Sequence, residues 1–302
     1  MNNSLQPQQQ KQIKFTSFMS QDGTKKLINN ALGSMNAQRF ISSIISAVTT
    51  NPALEECTHK SILAGALLGE SLKLSPSPQL GQYYLVPFKK KDKKGDVIEV
   101  NAQFILGAKG YKQLAMRTGQ YLDIDVISVK EGEYKGRDPF TGKQRFSFIE
   151  DDDQREQLPT IGYMAYFELL NGFRKQVYWT KQKMMSHADK YSAAFDASKY
   201  DDFIAGTIPQ KELWRYSSYW YTDFEGMAHK TLIRHLISQW GIMSIEMQTA
   251  YEKDNAVLKE NGEIDYAEPS EESPTIVTPA PAIEENITEE EKNNFDFFDS
   301  KE

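Results

Sequence analysis

The sequence predicts an α+β fold in which antiparallel hairpins pack against helices. Two runs rich in β-branched and aromatic residues, Gln82 to Phe88 and Val97 to Leu106, read as the arms of one hairpin. Two more, Ile161 to Leu170 and Phe173 to Trp179, flank Asn171-Gly172, the strongest two-residue hairpin signal a sequence can carry. The order helix, helix, strands, helix, strands, helix also lacks the strict strand–helix alternation of a doubly wound sheet. With 302 residues, 39% of them hydrophobic and 12% aromatic, the chain can bury a substantial core.

Residues 1–30, with Gln8-Gln9-Gln10-Lys11-Gln12, are predicted to be a flexible arm ahead of a core at 31–250. Helical spacing at Phe40, Ile44, Ile45 and Val48 ends at Asn51-Pro52, where proline disfavours continuation through the preceding residue. A second helix starts from a Thr58 N-cap, carries Ile62, Leu63, Ala66, Leu67 and Leu74, and stops at Ser75-Pro76-Ser77-Pro78. The first hairpin follows, then a short helix from Ala108 to Thr118. Tyr121 to Val129 alternates as a strand, and Arg145 to Ile149 forms another beyond the turn Asp138-Pro139-Phe140-Thr141-Gly142. Together with the Asn-Gly hairpin these make the middle of the chain an antiparallel sheet. Thr180 can cap a helix containing Lys181, Lys183, Met184 and Met185, and the last helix covers about Asp223 to Ile242.

The net charge of −7 conceals a division. Residues 251–302 hold 16 acidic and 4 basic side chains, whereas residues 1–250 hold 26 and 31, so a cationic core precedes an acidic tail. That tail, with Pro269, Pro274, Pro279 and Pro281 and few bulky apolar residues before its end, cannot offset the entropy of ordering and is predicted to be disordered. One cysteine, Cys57, excludes an internal disulfide and a cysteine-rich zinc module. The first residues lack a signal-peptide pattern and no apolar run approaches the ~20 residues of a membrane span, which predicts a cytoplasmic protein.

Charge concentrates at residues 81–119, where eight basic side chains face three acidic ones. Lys89, Lys90, Lys91, Lys93 and Lys94 crowd the tip of the first hairpin. On the helix that follows, Tyr111, Leu114, Ala115 and Thr118 share one side and Lys109, Lys112, Gln113 and Arg117 the other. A solvated face would explain the pattern, but no acid from Leu106 to Gln120 neutralises these cations locally, which favours a polyanionic partner. A second constellation, residues 211–240, interleaves Lys211, Arg215, Lys230 and Arg234 with Trp214, Tyr216, Tyr219, Trp220, Tyr221 and Trp240. Single-stranded nucleic acid requires such a mixture, cations for phosphates and flat apolar surfaces for unstacked bases. On the last helix Lys230 and Arg234 lie one turn apart, away from the Leu232, Ile233, Leu236, Trp240 stripe, with heads expected free for phosphates. The competing reading makes the tryptophans core residues with cations snorkelling beside them.

Enzyme motifs point elsewhere. Gly107-Ala108-Lys109-Gly110 is too short for a phosphate-binding loop of the G-x-x-x-x-G-K-[ST] type, no H-E-x-x-H occurs, and His59, His187, His229 and His235 form no ligand pattern. No catalytic residue, metal or cofactor is therefore expected. One alternative stays open: Asp123 or Asp125 with Glu133-Tyr134-Lys135 has the residue types of a metal-dependent nuclease.

The assembled motifs resemble the RecT family of phage-type single-strand annealing recombinases. The resemblance runs from about Asn51 to Ile242. It rests on Asn51-Pro52-Ala53-Leu54 with Cys57 and Ser61, on Leu80 to Phe88, on Gln103-Phe104-Ile105-Leu106-Gly107-Ala108-Lys109-Gly110-Tyr111, and on Trp220 with Phe224 to Arg234. His229 stands where a lysine is common in the family. The resemblance implies ATP-independent annealing of complementary DNA by a homo-oligomer, a ring or a helical filament, that binds single strands and the annealed duplex. Phosphate ligands are then expected at Lys109, Lys112, Arg117, Lys230 and Arg234. Lys181, Lys183, Arg215 and the Lys89, Lys90, Lys91 tip come second, with Arg174 and Gln103 as further contacts. Family membership also implies an exonuclease partner or the host single-stranded DNA-binding protein, and Phe295, Phe297 and Phe298 among the acids of the tail have the make-up of a docking motif. A generic single-strand coating protein remains the other alternative.

Overall fold

The computed structural model describes residues 13–91, 96–258 and 264–266. Lys93, Lys94, Phe295, Phe297 and Phe298 lie outside the described residues, as does the side chain of Lys91.

The described chain opens with helices α1 (Phe15–Met19), α2 (Asp22–Leu32), α3 (Ser34–Thr50) and α4 (His59–Ser71), with a 3-10 turn at Pro52–Glu56 before α4. Strands β1 (Tyr83–Lys91) and β2 (Val97–Leu106) form the first hairpin, and α5 (Ala108–Arg117) follows. Next come β3 (Tyr121–Lys130), β4 (Tyr134–Arg137), β5 (Gln144–Phe146), α6 (Asp152–Gln157), β6 (Thr160–Leu169), β7 (Arg174–Thr180) and α7 (Lys181–Tyr191). The chain continues through α8 (Tyr200–Ile204), α9 (Tyr219–Thr222), α10 (Phe224–Trp240), α11 (Ile245–Glu252), β8 (Ala256–Leu258) and β9 (Ile264–Tyr266). The fold is α+β, as the sequence predicts.

The local signals work largely as expected. Phe40, Ile44 and Val48 are the buried stripe of α3, and Tyr111, Leu114 and Ala115 that of α5. Gly172 takes φ 83° in the β6–β7 turn, a conformation glycine adopts without the Cβ clash of other residues. Thr180 caps α7 by accepting the Lys183 N–H at 3.1 Å, and Asp223 caps α10 by accepting that of Gly226 at 3.0 Å. Thr58 precedes α4 but does not cap it: its hydroxyl donates instead to Asn101 Oδ1 at 2.7 Å, tying the helix start to β2.

Three expectations need correction. The middle of the chain is not one sheet: β1-β2-β8-β9, β3-β6-β7 and β4-β5 are separate. Half of the N-terminal arm is helical, because Phe15 and Met19, one turn apart, and Ile28 are buried, and Phe15 packs edge-on to His59 at 5.5 Å. The glutamine-rich stretch just before them hides that spacing. Ordered structure also runs past residue 250. There α11 buries Met247 and Ala250, and β8 extends the first hairpin by pairing Ala256 with Phe104 and Val257 with Gln103.

Asp254 explains why the chain returns. Its side chain is fully buried and accepts from the Leu106 N–H at 2.8 Å, the Tyr111 hydroxyl at 2.9 Å and Lys230 Nζ at 3.0 Å, with Arg234 Nε 3.6 Å away. Burial above all keeps the Tyr111 hydroxyl protonated, and hence a donor, far above the usual tyrosine range. One carboxylate thus joins the end of β2, α5 and α10. Asn255 follows at φ 66° and donates its N–H to Phe104 O at 2.9 Å, starting β8.

Replacing Asp254 by alanine removes the carboxylate partner of the buried Lys230 and costs about 3–5 kcal/mol. Urea unfolding of the purified variant checks this, and a loss below about 1 kcal/mol would remove Asp254 as the tie.

Candidate nucleic-acid interface

The two motif segments, far apart in sequence, face each other across one cleft. Lys109 and Lys112 on α5, Tyr84 on β1, and Met227, His229 and Lys230 on α10 line a cavity of about 330 Å³. The close approach rests on glycine: a Cβ at Gly107 would stand 2.2 Å from Gly81 O, and one at Gly110 2.1 Å from Gln82 O. The Gly-Ala-Lys-Gly run is thereby explained as packing of α5 against the start of β1. Lys109 is exposed and has no ion-pair partner among the described residues.

The other cations expected here are engaged to different degrees. Lys112 Nζ pairs with Asp125 Oδ1 at 2.7 Å, with side chains 33% and 40% exposed. A pair so open to water is worth about 1 kcal/mol or less, so a phosphate can compete for the lysine. Lys230 and Arg234 are the correction. Their heads are not free: both turn inward onto Asp254, Lys230 also reaches Asn255 Oδ1 at 3.2 Å, and Arg234 lies 4.2 Å from the Tyr251 ring. A buried pair cannot be exchanged for a solvated phosphate at comparable cost. Arg117 donates to Leu72 O at 2.6 Å and Lys73 O at 2.7 Å, satisfying carbonyls at the end of α4. Gln103 is buried and donates from Nε2 to Asn255 O at 2.7 Å, so it holds β8 rather than facing a ligand. His229 sits on the cleft floor, with Nε2 2.9 Å from Ser128 Oγ. The Ser128 hydroxyl donates to Glu225 at 2.8 Å, leaving its oxygen to accept from the imidazole. Burial holds His229 below its ordinary value.

The second sequence constellation disperses. Trp220 is buried against Phe224 at 5.3 Å, whereas Trp214 is 71% exposed with Arg215 5.3 Å from its ring. Lys181 stands 5.6 Å from the Tyr200 ring and does not line the cleft. Lys89 lies 3.7 Å from Glu56 at an exposed site, and Lys90 is described as a β1 residue paired with Glu99.

A second, larger depression was not foreseen. Between the β4–β5 hairpin and β7 lies an open groove of about 1330 Å³. Its cations are Arg137, Lys143, Arg145, Arg174, Lys175 and Lys183, against Asp138 and Glu168. Arg174 and Lys183 were expected contacts; Arg174 is bound to Glu168, with Nε 2.8 Å from Oε2, and Lys183 lies 4.2 Å over Trp179. Sequence reasoning missed Arg137, Lys143, Arg145 and Lys175. The period-two spacing of Lys143 and Arg145 beside a recognised turn was the available signal, whereas the 4.3 Å contact of Lys175 with Trp240 requires the fold.

Two of the acids named for the nuclease alternative are engaged within the fold. Glu133 is fully buried; Arg155 on α6 donates to it at 2.6 Å and 3.2 Å, and the Lys130 N–H at 2.7 Å. Asp125 is paired with Lys112. Among the described residues no three His, Cys, Asp or Glu side chains gather as a metal site.

Over residues 38–272 the chain matches the sequence profile of the RecT family. It is similar to the Bacillus subtilis (strain 168) protein YqaK, 32% identical over 295 residues that cover 98% of this chain and 89% of that protein. It is also similar to protein RecT of Escherichia coli (strain K12), 28% identical over 263 residues, 84% of each chain. No helix among the described residues is long and apolar enough to cross a membrane.

Burial pushes the Glu133 carboxyl up, but the hydrogen bonds from Arg155 and from the Lys130 and Ile149 N–H groups outweigh it and leave the group below its ordinary value of 4.5. A depressed carboxylate stabilises fully above that ordinary value, and its contribution is lost as pH falls through the folded one. Glu133→Gln should therefore lower the midpoint of thermal unfolding at pH 7 and flatten its decline on acidification. An acid limb identical to that of the parent protein would contradict the pairing.

Proposed function

The chain belongs to the RecT family, and from that premise we propose that it binds single-stranded DNA and anneals complementary strands without ATP, as a homo-oligomer in ring or helical-filament form. Proteins of this family act in phage-type recombination and annealing. The observation that carries the reading is the convergence of the two signature segments on one cleft, with Lys109 exposed at its rim. Lys109 and Lys112 hold phosphates there, and the strand's pairing edges remain outward for a second strand. Base pairing supplies sequence specificity, so the protein needs no base-edge code. Lys230 and Arg234 act one layer below, fixing α10 against α5 through Asp254.

The acidic segment beyond Tyr266 recruits partners, a 5′ to 3′ exonuclease or the host single-stranded DNA-binding protein, through Phe295, Phe297 and Phe298. A truncation that tests this must begin after Tyr266, because Asp254 and β8 belong to the core. Such a chain should anneal normally and lose partner binding in a pull-down; unchanged partner affinity would assign docking elsewhere.

The direct test is fluorescence-detected annealing of two complementary oligonucleotides by the purified protein, without nucleotide and with or without EDTA, followed by a denaturing gel. Acceleration with intact strands is expected. Binding without acceleration would make the protein a passive coat, and metal-dependent shortening would make it a nuclease. Lys109→Ala should weaken single-strand binding and reduce the slope of log affinity against log salt by roughly 0.7, the contribution of one phosphate contact.

A further inference from the structure

The groove beside β7 is floored by the face of the β3-β6-β7 sheet turned away from the cleft and continues around the β7 edge. Val126 lines the cleft and Ile127 the groove. Consecutive residues of a strand point to opposite faces, so the groove floor at Ile127 lies on the side of the sheet away from the cleft, while Lys175, Val177 and Trp179, which alternate with Arg174, Gln176 and Tyr178, carry the lining around the β7 edge. The register places Ile127, Met164 and Tyr178 in one row, Tyr166 with Gln176 in the next, and Glu168 with Arg174 beyond. All of these line the groove. The alternate residues, Tyr163, Ala165 and Phe167, are buried in the core.

The β4–β5 hairpin builds the other wall. Tyr134 stacks on Tyr178 at 4.6 Å and 17°, Phe146 meets Tyr178 edge-on at 5.5 Å, and the Gln176 amide donates to Gln144 O at 2.6 Å. Phe148 stacks on Phe146 at 5.9 Å and is 44% exposed. Arg137, Lys143 and Arg145 on the hairpin are exposed. Lys175 and Lys183, spread over Trp240 and Trp179, continue the basic lining along the far edge.

We propose that this groove is a second nucleic-acid site, which holds a second DNA strand by its phosphates on Arg137, Lys143, Arg145 and Lys175 and stacks bases on Phe148. Its volume exceeds the ~300–1,000 Å³ of small-molecule pockets, and it is an open trough rather than an enclosure, as a polymer requires. Six cations against two carboxylates set the sign of the ligand, and one of those carboxylates, Glu168, is already neutralised by Arg174. Exposed aromatic faces between the cations favour unstacked bases over an acidic peptide. The role given to the strand rests on the annealing reading: a strand gripped on the cleft side and one gripped on the groove side of the sheet cannot pair across it. The groove therefore concentrates the incoming strand, or carries a strand toward a neighbouring subunit, instead of forming the nascent duplex within one chain.

The full-length protein, saturated with a donor-labelled oligothymidylate that is then photocrosslinked, is titrated with an acceptor-labelled oligothymidylate that cannot pair with it. Energy transfer should report capture of the second strand. Arg137→Ala/Lys143→Ala/Arg145→Ala should reduce capture at least tenfold while first-strand affinity stays within twofold and the melting temperature is unchanged. Phe148→Ala, which leaves charge intact, should reduce capture about tenfold. Equal capture by the parent and the triple variant, or no capture by the parent, overturns the proposal. So does a triple variant that loses first-strand binding while Lys109→Ala retains it, since the groove would then be the first-strand site. Second-strand capture without any acceleration of annealing would support the groove and remove the annealing reading alone.

Discussion

Asp254 is the point on which the described structure depends. Isolating a carboxylate from water is expensive, and only several strong donors with good geometry offset it. Here those donors come from the end of β2, from α5 and from α10, so the charge is stable only when all three are in place. The requirement is mutual. Without Asp254, Lys230 would be a buried cation that has lost its ion-pair partner, and the Leu106 N–H would lose its acceptor. A network of this kind does little for total stability compared with an apolar core, but it specifies one arrangement over others. The arrangement it specifies brings the Gly-Ala-Lys-Gly segment against α10 and so shapes the cleft.

The same sorting decides which cations remain available to a phosphate. Charge counted along the sequence treats Lys109, Lys112, Arg117, Lys230 and Arg234 alike, yet the fold assigns them different work. Arg117 closes the end of α4, and Lys230 and Arg234 balance Asp254. Lys112 is held by a pair weak enough to exchange, and Lys109 projects from the rim. The magnitudes settle the order: an exposed pair contributes at most about 1 kcal/mol, whereas breaking a buried one costs several. Charge–charge forces between exposed groups fade over a Debye length of about 10 Å, so a chain with net charge −7 can still present a local cationic surface.

What could be read in advance follows the range of the interactions. The β1–β2 and β6–β7 hairpins, α3, α5, α7 and α10 are visible because periodicity, turn residues and most of their caps are local. Asp254 falls in a stretch whose composition reads as a disordered tail, because nothing within ten residues of it explains a buried acid; its partners lie twenty and twenty-four residues away, on α10, and nearly 150 away, on β2 and α5. The helices of the N-terminal arm were obscured by neighbouring glutamines, although the Phe15, Met19 spacing was present. The sheets were merged because alternation identifies strands without naming their partners: β8, three residues long, is recognisable only by its ladder to β2. Glu133 shows the limit most clearly. Its E-x-K setting has the residue types of a catalytic acid, and only the fold brings Arg155 to it.

The β3-β6-β7 sheet ties these observations together, because one face must be dry and the other need not be. Tyr163, Ala165 and Phe167 commit one face to the core beneath α10. That commitment leaves the opposite face to be covered by something smaller, and the β4–β5 hairpin covers only part of it, through Tyr134 and Phe146 on Tyr178. An antiparallel sheet tolerates this, since its free face can meet water. What remains open combines cations with aromatic and aliphatic side chains. Ordinary hydration accounts for the cations but not for Phe148 and Trp240, which stay 44% and 38% exposed beside them. Rings at the edge of a basic trough gain further burial when a flat apolar surface covers them, and an unstacked base supplies such a surface.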